Sequence, residues 1–244
     1  IDAWLMNRVG GHAKDHTEPA GFGMMQKKWI GWTLFFALSA LFMGVGACCT
    51  FARRDAAFEK TIENFVEEGL PASETPLFNG KNLGGWEVHG FGSWSVENGV
   101  VTARRGMGYL STRCDAFTDF ILDVDVNVNR RGNSGIFFRA GHPGRGLRSQ
   151  PVGYEAQVDH HDPKNPTGSL YNRVTAHPVL SRDGEWFHMT ITAVEEKIQI
   201  QVNGTTVVDA TAAKDEKGFI ALQAHDPFSV VSFKNLRIRM PEEE

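Results

Sequence analysis

Two periods of hydrophobicity divide the chain. From Asp55 to Leu70 the apolar residues Phe58, Ile62, Phe65 and Val66 recur at helical spacing, and Gly69 and Pro71 supply a stop. This predicts a short amphipathic helix with a solvated acidic face of Glu59, Glu63, Glu67 and Glu68. Pro71 to Pro76 reads as a linker, and beyond it the period drops to two. Phe120, Leu122, Val124, Val126 and Val128 alternate with Ile121, Asp123, Asp125, Asn127 and Asn129. Ile198, Ile200 and Val202 alternate with Gln199 and Gln201 in the same way. Successive side chains of a strand point to opposite faces, so each run predicts a half-buried strand. Asn98-Gly99 and Asn203-Gly204 predict two-residue hairpins, because that turn needs positive φ at both central positions. Many short strands with no helical pattern between them predict an all-β sandwich of antiparallel sheets.

Upstream, the run from Trp29 to Ala47 carries no charge and is followed by Cys48 and Cys49. A helix crosses a bilayer with about 20 such residues. One reading is a signal anchor; the other is an export signal with a basic start at Lys27-Lys28, an apolar centre and a small-residue exit. Val45-Gly46-Ala47-Cys48 resembles a bacterial lipobox, which implies cleavage before Cys48 and lipid attachment to it. Residues 1–28 read as a polar tail, and Met24 or Met25 is the expected start of the physiological chain. The expected organisation is tail (1–28), signal or transmembrane segment (29–49), short helix and linker (50–75) and sandwich (76–240). Basic residues flank the apolar run, and the positive-inside rule then places the folded domain on the periplasmic or extracellular side of a bacterial envelope, held to the membrane by the N-terminal helix or by lipid.

Composition narrows the choice of partners. A net charge of −4, with no Lys/Arg-rich run, speaks against a nucleic-acid partner. The cysteines form no disulfide framework, and Cys114 reads as a small buried residue rather than a nucleophile. Trp86, Trp94 and Trp186 sit at predicted strand ends and read as core anchors. Adjacent strand residues point in opposite directions, so His160-His161-Asp162 reads as a loop rather than a metal site.

The string Leu77-Phe78-Asn79-Gly80-Lys81-Asn82-Leu83-Gly84-Gly85-Trp86 resembles the opening of the 3-keto-disaccharide hydrolase family. The likeness continues through Trp94-Ser95-Val96-Glu97-Asn98-Gly99-Val100, Asn133-Ser134-Gly135-Ile136-Phe137-Phe138-Arg139, Gly153-Tyr154-Glu155-Ala156-Gln157-Val158 and Thr167-Gly168-Ser169-Leu170-Tyr171. It extends over Gly184-Glu185-Trp186 and Gly218 to His225, and ends at Phe233-Lys234-Asn235-Leu236-Arg237-Ile238. The resemblance implies a concanavalin A-like jelly-roll β-sandwich whose concave sheet holds a carbohydrate.

Alternation groups the candidate site. Glu155, Gln157 and Asp159 share one strand face, Gln223 and His225 share another, and Arg139 follows Phe137 by two positions. Tyr171 and His160 are expected at the rim. A polar strand face is most often the solvated side of a sheet, as expected for Asp123, Asp125 and Asn127. Glutamines, a histidine and an arginine beside aromatics instead suit recognition of hydroxyls and carbonyls. For a 3-keto sugar, the resemblance implies a base for the C2 proton, a stabiliser of the enolate and an acid for the leaving oxygen. Glu155 is the candidate base and His225 the candidate acid or electrophile. Arg139 would face the enolate, Gln157 and Gln223 would hold hydroxyls, and Asp159 and Tyr171 complete the substrate-binding set. The cofactor is left open, a divalent metal being the candidate. Two other functions fit the same residues. One is a non-catalytic, lectin-like surface module. The other is a direct glycosidase using Glu155 and Asp159, whose α-carbons stand about 13 Å apart on an extended strand. Protein partners are left open.

Overall fold

The computed structural model describes residues 57–61, 64, 73–143, 150–211 and 217–241. The strands in chain order are β1 (Thr75–Pro76), β2 (Trp86–Gly90), β3 (Ser93–Glu97), β4 (Val100–Arg104), β5 (Gly108–Thr112), β6 (Phe120–Val128), β7 (Ser134–Gly141), β8 (Val152–Val158), β9 (Phe187–Val194), β10 (Lys197–Val202), β11 (Thr205–Thr211), β12 (Phe219–Ala224) and β13 (Val231–Arg239). They form two antiparallel sheets. The larger runs β11-β10-β9-β6-β13-β4-β3, with β1 also on β13; the smaller runs β2-β5-β12-β7-β8. Thr75 and Pro76 pair with Ile238 and Arg237, so the two ends of the sandwich close on each other.

The period-two pattern is what packs the sheets. In β6 the apolar set Phe120, Leu122, Val124, Val126 and Val128 is buried. Ile191, Ile198, Ile200, Val202, Phe233 and Ile238 join it from neighbouring strands. Leu110, Ile136, Phe138, Tyr154, Ile220 and Leu222 close the core from the smaller sheet. Both Asn-Gly pairs adopt positive φ at both residues, as a two-residue hairpin requires. Trp86 is a core anchor whose indole N–H donates to the Leu77 carbonyl at 2.9 Å. Cys114 is buried, and burial pushes its thiol pKa up, which leaves it unreactive.

Trp186 departs from expectation. It is 42% exposed, with the Lys234 ammonium 4.3 Å from its ring centroid. Asp123 and Asp125 do face away from the core, but they are bonded as well as solvated. His188 donates to both, at 3.2 and 2.8 Å, and Thr190 and Asn235 add one bond each. Burial opposes charge on His188, yet the two carboxylates outweigh it and raise its pKa. Of the predicted amphipathic helix, 57–61 and 64 are helical and Phe58 packs on the core. The rest of that helix, the apolar run and Cys48 lie outside the described residues. Among the described residues no helix is long and apolar enough to cross a membrane.

Arg139 corrects a site expectation. The register of β7 shifts after Phe138 against β8, and Arg139 has φ of 45°. This bulge breaks the alternation that would have placed it beside Phe137. Its buried guanidinium donates instead to the carbonyls of Thr118 and Glu195, at 2.7 and 2.9 Å, and to Asp119 at 3.1 Å. Arg139 is therefore a clamp between loops. Arg139→Met should lower unfolding free energy by about 3 kcal/mol, because buried acceptors lose their donors. Chemical denaturation checks this, and a loss under about 1 kcal/mol would contradict the clamp.

Candidate functional site

The smaller sheet turns Tyr109, Ser111, Phe137, Phe219 and Ala221 away from the main core, yet all are buried. Tyr109, Phe137, Ala140, Phe219 and Ala221 form a second apolar cluster there. His89 stacks on Tyr109 at 4.5 Å, and His142 packs 4.6 Å from Phe219 and meets the Tyr109 hydroxyl at 3.1 Å. Burial, more than the opposing pull of Glu87, lowers the His89 pKa, and burial first, then Glu87, raises that of Tyr109. Both groups stay neutral near pH 7. This cluster fills the middle of the face. Beside it a cavity of about 250 Å³ remains, bounded by Phe137, Glu155, Gln157, Tyr171, Gln223 and His225.

Register places the cavity's polar groups. Phe137 pairs with Glu155 and Gly135 with Gln157, so Glu155 and Gln157 rise beside a strand that offers a flat ring and a bare glycine. A methyl group at Gly135 would occupy the space of the Glu155 carboxyl. β8 ends its sheet, and Gly168–Tyr171 covers that free edge. Gln157 N–H donates to the Ser169 carbonyl, and Gly168 and Tyr171 N–H donate to the carbonyls of Gln157 and Glu155, each at 2.9 Å. The backbone under both side chains is thereby fixed.

The electrostatics are those of a neutral pocket. Burial raises the Glu155 pKa to about 8, and among the described residues no cation offsets it. At pH 7 about one-tenth of this carboxyl is ionised. Gln157 and Gln223 are buried amides. Gln223 Nε2 donates to Gln150 Oε1 at 3.4 Å, whereas Gln223 Oε1 is buried with no partner among the described residues. A buried acceptor left open calls for a donor such as a ligand hydroxyl or a water. His225 stands at the mouth with its side chain 45% exposed, and its Nδ1 donates to Asp226 at 3.2 Å.

The structure thus brings together Glu155, Gln157, Tyr171, Gln223 and His225, and leaves out Arg139 and Asp159. β8 stops at Val158, and the Asp159 carboxylate turns back to accept the N–H groups of His161 and Asp162, at 2.8 and 3.2 Å. His160 is held by Thr167 and Ser181 and does not line the cavity. Asn133, Gln150 and Gly135 belong to the site, and side-chain periodicity gave no sign of them. Among the described residues no three His, Cys, Asp or Glu side chains are arranged to hold a metal.

The fold and the family match together make this a carbohydrate-related, hydrolase-like β-sandwich. Residues 73–239 match the 3-keto-alpha-glucoside-1,2-lyase-like domain, and the chain belongs to that family. Among curated proteins none matches. Two candidate glycosyl hydrolases from Parabacteroides distasonis ATCC 8503 superpose with TM-scores of 0.56 and 0.58, at 24% and 20% identity. The matches cover 69% and 74% of this chain and 100% and 97% of theirs. Carbohydrate-binding module CBM66 from Bacillus subtilis superposes with a TM-score of 0.50 at 18% identity, over 64% of this chain and 95% of its own. These likenesses show a shared fold.

The buried carboxyl leaves a signature in stability. The unfolded chain releases the Glu155 proton near pH 4.5, whereas the folded chain holds it to about pH 8. Stability therefore falls as pH rises between those values, by up to about 4 kcal/mol from this group. Gly135→Ala pushes the flexible carboxyl toward water at little cost to the backbone. Denaturant titrations from pH 5 to 8 should show a shallower decline for Gly135→Ala than for the unmutated chain. Equal declines would contradict the role given to Gly135.

Proposed function

We propose that the cavity takes one ring of a 3-keto-glycoside and that Glu155 removes its C2 proton. The observation that carries this reading is a single carboxyl, desolvated to a pKa of about 8, among neutral amides in a cavity of single-ring size. A raised pKa makes the ionised carboxylate a stronger base than an ordinary Glu while keeping an ionised fraction at neutral pH. The adjacent ketone accepts the electron pair as the C2 proton leaves, giving an enolate. The amide N–H groups of Gln157 and Gln223 face its oxygen, in place of Arg139. Collapse of the enolate forms a C1–C2 double bond and expels the glycosidic oxygen, to which His225 gives a proton. A lyase releases this product; a hydrolase adds water at C1. The Gln223 carbonyl and Tyr171 hold ring hydroxyls.

The cavity holds one carboxyl among the described residues, so the two-carboxylate glycosidase is not carried forward. The binding-module reading keeps one observation in its favour, since an amide-rich, uncharged lining serves recognition without turnover. Attachment outside a bacterial membrane through residues 29–49 or a lipid on Cys48 remains part of the proposal.

Glu155→Gln preserves shape and hydrogen bonding but removes basicity. Turnover of a 3-keto-disaccharide should fall roughly 100-fold or more with binding retained. In the unmutated chain, kcat/KM should climb as pH rises through about 8, because the base acts ionised. Full turnover by Glu155→Gln would overturn the base. Sugar binding by the unmutated chain with no turnover would select the binding module.

A further inference from the structure

Phe228 is 86% exposed. The loop that carries it is nonetheless tied down. The Asp226 carboxylate accepts the N–H groups of Phe228 and Ser229 at 2.8 and 3.0 Å, the Ser229 hydroxyl at 2.6 Å and His225 Nδ1 at 3.2 Å. The Phe228 carbonyl accepts from Asn129 Nδ2 at 3.1 Å, and Ser229 Oγ accepts from Asn133 N–H at 2.8 Å. Burial opposes ionisation of Asp226, but the bonds from Ser229, Phe228 and His225 outweigh it and lower its pKa. The clamp therefore holds at neutral pH.

The loop is joined to the cavity lining. His225 and Asn133 line the cavity. One carboxylate, that of Asp226, fixes both His225 and the backbone of Phe228, and Asn133 is bonded to the next residue of the same loop. A cavity of about 250 Å³ lies at the small end for ligand sites and encloses one sugar ring. The buried aromatic cluster closes one side of the cavity to a second ring, and the mouth at His225 and Asn133 is open to one. The loop that leaves this mouth at His225 carries the exposed Phe228 on a backbone held by Asp226 and Asn129. An aromatic face carries partial negative charge and attracts the polarised axial C–H groups of a pyranose.

We propose that Phe228 is the platform for the second ring of a disaccharide whose terminal ring fills the Glu155 cavity. The inference rests on the sugar reading above, and the experiment separates the two. Calorimetric titration of the Glu155→Gln chain, with Phe228 intact or changed to Ala, uses 3-keto-trehalose and methyl 3-keto-α-glucoside. The Phe228→Ala change should weaken 3-keto-trehalose binding by roughly 3- to 10-fold and leave the methyl glycoside unaffected. Phe228→Trp should retain the disaccharide affinity. Unchanged disaccharide affinity in Phe228→Ala, or equal loss for both sugars, overturns the platform alone. Binding of neither sugar with Phe228 intact removes the pocket reading and the platform with it.

Discussion

Desolvation of one carboxyl group is the constraint on which the site depends. Glu155 stands on the outward face of β8, beside Phe137 and Gly135 of β7, with no described cation to stabilise its charge. Water is excluded from one side by the aromatic cluster and from the other by the segment that covers the edge of β8. A fold selected only for stability would place an apolar residue or a fully solvated carboxyl there. The large core between the sheets supplies the stability that this group withdraws above pH 4.5.

The same geometry explains the division of labour across the smaller sheet. Its inward side chains belong to the common core, and its outward side chains split into a filled half and an open half. The filled half, with His89, Tyr109, His142 and Phe219, limits how far a ligand can enter. The open half offers amides, one proton-holding carboxyl and a histidine at the mouth. Such a lining suits an uncharged, hydroxyl-rich molecule, and the family to which the chain belongs is one of carbohydrate chemistry.

What the sequence made legible follows the range of the interactions involved. The β6 and β10 faces and the two Asn-Gly hairpins are local, set by alternation and by φ, and they appear where the pattern places them. Glu155, Gln157 and Gln223 were legible because their strands run regularly through the site. Arg139 was not, because a β-bulge depends on pairing with β8 and β12 rather than on its own neighbours. Asp159 was misplaced because its turn-forming carboxylate ends the strand one residue earlier. Trp186 was misread because exposure beside Lys234 is decided across strands. Gln150 and Asn133 enter from loops, where no period marks a side chain's direction. Gly135 lies within the Asn133–Arg139 motif, but its role depends on Glu155 occupying the space that it leaves.

The surroundings of the Glu155 carboxyl hold it protonated at neutral pH. Carbon-detected NMR of the chain labelled at glutamate side-chain carboxyls tests this, with the Glu155 signal assigned by its loss in Glu155→Gln. The Glu155 resonance should have its midpoint near pH 8. A Glu155 midpoint near 4.5 would contradict it, because the pocket would then hold an ordinary carboxylate and the base would lose its physical basis.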